Sequence, residues 1–573
     1  MASYLLKAST DGRSSSGASV DEKRAVQNNA GLQEQRFVGV ADLADLTHSH
    51  NLHRGLMARH ITMIALGGAL GTGLIIGSGA ALAKGGPASI LISYTVVGFV
   101  MYLVMCALGE MGSWLPLPSG FTGYATRFCD PSLGFALGWI YWMKYAITTS
   151  NQLTAAALVI QYWIDRERVN PGVWITVFIV VIVSINYFGI KYFGEFEFWL
   201  SGVKVITICG LILLSLILAL GGGPDHDRKG FRYWRDPGAF HPYIDEGATG
   251  NFLAVWSTFV TATFSYLGTE LVGVTIGEAQ SPSKTIPRAV KLTFARITCF
   301  YILSIFLLGM LVPYNSKELA FATKQSGGAS ASPFVVAIVL AGIPVLPHII
   351  NASLLVFVFS ASNTDLYICT RTLYGLACEG KAPAIFARTN KRGTPVFALA
   401  ASAPFTLLAM LNVKSSSTVV FGYFVNVVTI FGILTWISIL ITHIWFVRAR
   451  KAQDVTKDQM AYVAPLGIWG SYGALAFCCI IALFKNFDVF VHGHWNKNTF
   501  ITGYIGIPVY LILIFGYKLA TRIAGHTRQT VDLFTGKAEY DAEEEAHLAA
   551  REKRTSAARS RGWFYKTFLA WLL

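Results

Sequence analysis

Residues 61–83 read ITMIALGGALGTGLIIGSGAALA, an apolar run long enough to cross a bilayer that six glycines interrupt, Gly67, Gly68, Gly71, Gly73, Gly77 and Gly79. Hydrocarbon offers no water to backbone groups, so an unwound turn is tolerated only where protein or a wet cavity receives the freed N–H and C=O groups. The run therefore predicts a helix broken at a binding site. The same letters carry a second reading. Gly67 and Gly71, like Gly73 and Gly77, have the four-residue spacing that lets two helix backbones approach closely.

A second interrupted stretch strengthens the first reading. The apolar residues 251–277 contain FSYLGTELVG (264–273), with Glu270 inside it. Two interrupted segments at corresponding places in two halves of a chain are the best sequence pointer to the midplane site of a secondary transporter.

Composition sets the class. Of 573 residues, 53% are hydrophobic and 14% charged, where a soluble chain carries about 25% charged residues. The fold expected is an all-α polytopic membrane protein. About twelve spans are predicted, near 61–83, 88–111, 133–163, 172–190, 195–220, 251–277, 293–313, 343–374, 395–413, 418–447, 463–485 and 499–520. They make a membrane domain over 59–520, between a polar arm (1–58) expected to be disordered and cytosolic and a charged cytosolic tail (521–573). The arm lacks the apolar core of a cleavable signal peptide. The tail ends in WFYKTFLAWLL (563–573), too short to span and suited to docking on the protein or the membrane surface.

An even span count puts both termini on one side, which collects about 31 of the Lys and Arg residues against about 12 opposite; that side is expected to be the cytoplasm. Most of the excess lies in the termini, and the loops alone divide almost evenly. The net charge of +14 is accounted for by this bias and by anionic lipid, with no nucleic-acid partner. The eight cysteines lack CxxC spacing and read as apolar packing residues. The pairs His48/His50 and His492/His494 have no further ligands nearby, so no metal is expected.

Five stretches carry a family resemblance: RHITMIALGGALGTGLIIGSG (59–79), GGP (85–87), ALGEMGSWLP (107–116), FSYLGTELVGVTIGEAQSPSKTIPRAV (264–290) and SNTDLYICTRTLYGLACEGKAPAIF (362–386). On these the chain resembles the fungal amino-acid permeases of the amino acid, polyamine and organocation superfamily, over nearly its whole length. FGEFEFWL (193–200), GGGPDHDRKGFRYWRDPGAF (221–240) and NQLTAAALVIQYW (151–163) are similar to the subgroup that imports glutamate and aspartate. The resemblance implies a 5+5 inverted repeat with broken helices 1 and 6, two appended helices, and import at the plasma membrane coupled to protons, with no other cofactor. It also implies ubiquitin-ligase and adaptor partners on the cytosolic tails, for which Lys7 and Lys23 are candidate acceptors.

An amino acid offers any carrier a carboxylate and an ammonium. The backbone N–H groups at Gly71, Thr72 and Gly73, at a half-helix start, suit the α-carboxylate. Carbonyls at Phe264, Ser265, Tyr266 and Leu267 suit the ammonium, as in relatives of the implied fold, and Phe264 or Tyr266 could cover the substrate or simply pack between helices. An acidic substrate needs a further cation or donor. Lys144 is the candidate, about eleven residues or ~16 Å into the third span, too deep to snorkel easily, with Thr148 one turn on; the alternative is a structural carboxylate partner. Many members of the family have a glutamate where this chain has Gln152, and the neutral amide removes a charge that would repel an acidic substrate.

Lys204 lies in the fifth span, where a lysine costs roughly 2.5–3.5 kcal/mol to insert and so has a partner or a task. Proton-coupled relatives carry a lysine here, which makes Lys204 the candidate coupling residue, against a static ion pair; Glu270 is the alternative proton carrier or a cation's fixed partner. Asn363, Thr364 and Asp365 resemble a family polar cluster that lines a cation position or bridges helices, and bridging suits Asp365 best. Phe424, Asn426 and Thr429 in the tenth span are candidate lining residues on a face that relatives use for side-chain selection. Glu110 reads as a cap on cytoplasmic structure.

Three other functions are weighed against an acidic amino-acid carrier. A broad-specificity permease would leave Lys144 structural. A transporter-like nutrient receptor would have a longer cytosolic arm, and an integral-membrane enzyme would need a nucleophile, paired acids or a metal set that the chain does not display.

Overall fold

The computed structural model describes residues 71–117, 119–188, 190–271, 273, 282–317, 319, 332–390, 392–413 and 416–558. The arm with Lys7 and Lys23, the first ten residues of the run at 61–83, and the terminal WFYKTFLAWLL lie outside these residues.

The described chain is helical. α1 (Gly73–Trp114) opens on a wide π turn at Gly73–Gly77. Short α2 (Gly120–Phe128) leads to α3 (Pro131–Ile160). Next come α4 (Pro171–Phe188), α5 (Ile190–Ala219) and α6 (Gly247–Tyr266). α7 (Thr285–Leu311), α8 (Pro333–Leu340), α9 (Leu346–Cys378) and α10 (Val396–Val413) follow. α11 (Ser417–Ala452), α12 (Gly467–Phe484), α13 (Lys497–Thr521) and α14 (Lys537–Ala558) complete the order.

Among the described residues nine of these helices are long and apolar enough to cross a membrane. The expectation of about twelve spans differs from this in identifiable places. α1 takes in two of the expected segments around a kink at Gly86, where φ is +80°. A Cβ there would lie 2.9 Å from His241 N, because the 239–241 strand of loop is stitched into the kink by Ala88 N to Ala239 O (2.9 Å) and His241 N to Gly85 O (3.0 Å). Only glycine fits this left-handed, crowded position. α3 and α6 are rich in Ser, Thr, Asn, Gln and Gly, which dilutes their hydropathy.

α3 is the centre of the bundle, with 25 of its 30 residues buried. Its start is written locally: Asp130 caps it, accepting from Ser132 N at 2.8 Å, and Pro131 supplies the first helical position. Its hydroxyls survive burial by donating back one turn, Thr148 to Lys144 O (2.7 Å), Thr149 to Tyr145 O (2.8 Å) and Thr154 to Ser150 O (2.9 Å). The outer helices show the reverse pattern. Val173, Val177 and Val180 on α4, Ile206 and Leu213 on α5, and Ile512 and Leu519 on α13 point outward, the apolar surface that hydrocarbon requires.

Residues 522–558 fold back onto one end of the bundle. Val531 and Leu533 are buried. Trp114 Nε1 donates to Leu533 O (2.9 Å), Arg127 Nε to Asp532 O (2.9 Å), and Gln453 Nε2 to Val531 O (2.7 Å). Lys518 pairs with Asp130 at 2.9 Å, and Ser283 donates to Glu544 from both N (3.1 Å) and Oγ (2.5 Å).

Candidate functional site

The two interrupted segments meet. α6 stops at Tyr266 because Leu267 turns extended (ψ 144°) and Gly268 takes φ +91°. At the start of α1, a Cβ on Gly73 would stand 2.8 Å from Ser265 Oγ and 2.9 Å from Ser265 N, and one on Gly77 3.0 Å from Thr261 Cγ2. The small-residue packing reading therefore holds for Gly73 and Gly77, and it brings the start of α1 against the end of α6. Gly71 does not share it; its nearest neighbour at a Cβ position is Gln152 Nε2, 4.0 Å away. Tyr94 ties both segments, its hydroxyl donating toward Gly73 O (3.3 Å) and lying 2.7 Å from Ser265 Oγ.

Beside this junction is a small cavity of about 40 Å³, room for a few water molecules. Nine of the residues singled out above as site candidates line it: Gly71, Thr72, Gly73, Lys144, Thr148, Gln152, Phe264, Ser265 and Leu267. Thr364 and Asp365 of α9 join them, as do Tyr145, Gly268 and Val428. A side-chain relay crosses the wall. Thr72 Oγ1 donates to Gln152 Oε1 (2.8 Å), and Gln152 Nε2 donates to Asp365 Oδ2 (3.2 Å). Asp365 thus bridges helices, as its sequence suggested, and also lines the cavity. The buried Thr364 hydroxyl has no hydrogen-bond partner, an orphan that a bound solute can satisfy.

Lys144 is not a free cation. Its Nζ is ion-paired with Glu270 Oε1, both side chains being fully buried, and it stands over the rings of Tyr141 (4.8 Å) and Tyr145 (4.5 Å). Glu270 Oε2 accepts from Gly268 N (3.1 Å) and Trp436 Nε1 (3.5 Å). Lys204 is paired too, with Glu197 Oε1 at 3.3 Å, and the same carboxylate accepts from Ser360 Oγ (2.6 Å). Both residues read as proton carriers therefore sit in buried ion pairs, and neither lines the cavity.

Four further candidates also lie elsewhere. The Tyr266 ring stacks on Tyr301 (centroids 4.6 Å) and its hydroxyl donates to Tyr94 O (2.9 Å), so its side chain locks packing and does not cover the cavity. On α11, Phe424 and Thr429 are buried off the cavity, and Asn426 O accepts from Lys485 Nζ at 2.7 Å. The α11 face that meets the site carries Phe421, edge-on to Phe264 at 6.1 Å, then Val428, Gly432 against the Leu267 side chain, and Trp436. Asn363 accepts from Asn186 Nδ2 (3.0 Å), bridging α4 and α9. Glu110 Oε2 accepts from Ala464 N (2.8 Å), and its carboxylate lies 3.3 Å from His443 Nε2 and 3.6 Å from Arg450 Nη2, a cap on the α11–α12 connection.

Glu197 was missed in the sequence although its signal is present. It precedes Lys204 by seven residues, two helical turns, which puts acid and base on one face. Placing the span start at 195 left that acid at the membrane edge, where it needs no explanation.

A multi-pass helical membrane protein that closes a cavity where the start of one helix meets the end of another has the build of a solute carrier. The chain belongs to the amino acid permease family, whose model matches residues 60–525. It is 55% identical over 524 residues to the dicarboxylic amino acid permease of Saccharomyces cerevisiae, covering 90% of this chain and 86% of that one. It is 40% identical to the proline-specific permease of Emericella nidulans (85% and 89% covered) and 39% identical to the lysine-specific permease of S. cerevisiae (82% and 76%).

Proposed function

We propose that this permease imports acidic amino acids such as glutamate and aspartate with protons, across the plasma membrane, by alternating access. The observation that carries the reading is the cavity where the start of α1 meets the end of α6, with Lys144 in its wall. The 55% identity to a relative named for dicarboxylic amino acids supports the substrate class. The start of α1 at Gly71–Gly73 holds the α-carboxylate, since the first N–H groups of a helix lack intrahelical acceptors. The carbonyls at the end of α6 take the ammonium, and Lys144 with the Thr364 hydroxyl receives the side-chain carboxylate.

The fold proposed is twelve spans. Counting the two arms of α1 separately and adding α3 and α6 to the apolar helices reaches that number, with the breaks at Gly71–Gly73 and Leu267–Gly268 in equivalent places of a 5+5 inverted repeat. Both termini then lie in the cytoplasm.

A broader permease is the second reading, and the Lys144–Glu270 pair favours it, because a neutralised lysine is a structural tie as well as a donor. Uptake of labelled glutamate in cells lacking their own permeases, with and without the proton gradient, separates the two. Acidic selectivity predicts competition by aspartate and none by arginine, leucine or proline, and collapse of the gradient should abolish accumulation. Equal competition by all four defeats the acidic reading.

A further inference from the structure

We propose that Asp365 is the group that carries the coupled proton, and that an acidic amino acid binds only while this carboxyl is protonated. This rests on the acidic, proton-coupled reading above and adds the residue and the order of events.

The argument is one of charge in a closed space. Among the described lining residues, the groups that can be charged near neutrality are Lys144 and Asp365. Glu270 already neutralises Lys144, and Glu197 neutralises Lys204. Asp365 has no such partner among the described contacts: its Oδ2 receives the uncharged Gln152 amide. Ionised, it makes the cavity net negative. A glutamate zwitterion with its extra carboxylate also carries one negative charge, and two like charges in a low-dielectric site repel far more strongly than in water. A proton on Asp365 removes the repulsion, and a protonated carboxyl gains an O–H donor for the incoming carboxylate.

The groups facing Asp365 fit this role. From α3 come Lys144, Tyr141, Tyr145 and Gln152; from α5, Lys204 and Glu197; Glu270, in the turn after α6, faces Tyr141, Tyr145 and Lys144; and on α9 itself Cys369 lies one turn away. Both bases in this set are committed to their own acids. Gln152 cannot take the proton, and as an amide it donates to either form of Asp365. The cycle balances simply. With the cavity open outward, Asp365 takes one proton from the medium and the substrate follows; with it open inward, the substrate leaves and the proton dissociates, so one proton crosses with each acidic amino acid through this residue.

The test uses the full-length protein in proteoliposomes holding a pH dye, with L-glutamate as the probe. Asp365→Asn should bind glutamate with an affinity that no longer varies with pH and should still exchange glutamate for glutamate. Its glutamate-driven proton entry should be lost, and Asp365→Glu should restore it. Proton entry at the wild-type ratio in Asp365→Asn overturns the proposal. If the asparagine variant does not fold, the wild type decides: glutamate affinity should fall up to tenfold per pH unit above the titration of the site, with glutamine affinity nearly flat. Parallel profiles for the two overturn it equally. A wild type that carries no glutamate, or carries it without protons, defeats the transport reading itself and this inference with it.

Discussion

At the scale of single residues, the most consequential contact is Lys144 with Glu270. Deep burial of a charge is tolerated here because the opposite charge is adjacent and the remaining carboxylate oxygen is held by Gly268 N and Trp436 Nε1. Removing one partner strands the other, at a cost of about 3–5 kcal/mol, whereas removing both together is often close to neutral. Lys144→Ala should therefore lower the melting temperature in detergent sharply, and Lys144→Met with Glu270→Gln should recover most of the loss. A double variant as unstable as the single one would show that the pair is not an isolated tie. The presence of Lys144 in a site wall was legible, because an intramembrane lysine demands an explanation; its partner was not, since sequence does not reveal which of two buried acids it meets. The face of α11 was illegible for a related reason. That helix is buried nearly all round, so its hydrophobic pattern carries no phase, and Phe424, Asn426 and Thr429 were read about a quarter of a turn away from Phe421, Val428 and Trp436.

At the scale of elements, the break after Tyr266 was readable from Gly268 inside an apolar run, while the glycines of 61–83 carried two readings, unwinding and close packing. What they did not distinguish is which glycine unwinds and which packs. Gly268 supplies a positive φ and Gly73 supplies contact, with the Ser265 backbone where its Cβ would be. Gly73→Ala should force α1 from α6 and abolish uptake even in protein that reaches the surface. Gly375→Ala on α9, with nothing within 4 Å of the new methyl, should leave uptake intact and add up to about 1 kcal/mol of helix stability. Uptake assays with surface labelling, and melting curves, check both. Equal effects at the two positions would mean that close approach at Gly73 is not needed.

At the scale of the whole molecule, the layout of apolar segments followed from composition, while docking of the tail stayed open between the protein and the membrane surface, because charged sequence alone does not say where it docks. Asp532 anchors it. Burial raises its carboxyl, but the Thr535 backbone N–H and the Arg127 guanidinium outweigh that and hold it below its ordinary 3.8. A depressed pKa contributes stability that is complete above the ordinary value and lost only as pH falls through the folded one. Docking should thus resist proteolysis unchanged between pH 5 and 8 and loosen only in stronger acid. Release near pH 6 would point to another titrating group.

The docked segment also bears on how the protein can be handled. Trp114, Arg127 and Gln453 each spend a polar group on residues 531–533, and the seats of Val531 and Leu533 are apolar. Trimming the chain after α13 to obtain a tidier particle would uncover that greasy seat and orphan its donors, leaving a sticky end where the intact molecule has a closed one. A tag belongs beyond Ala558.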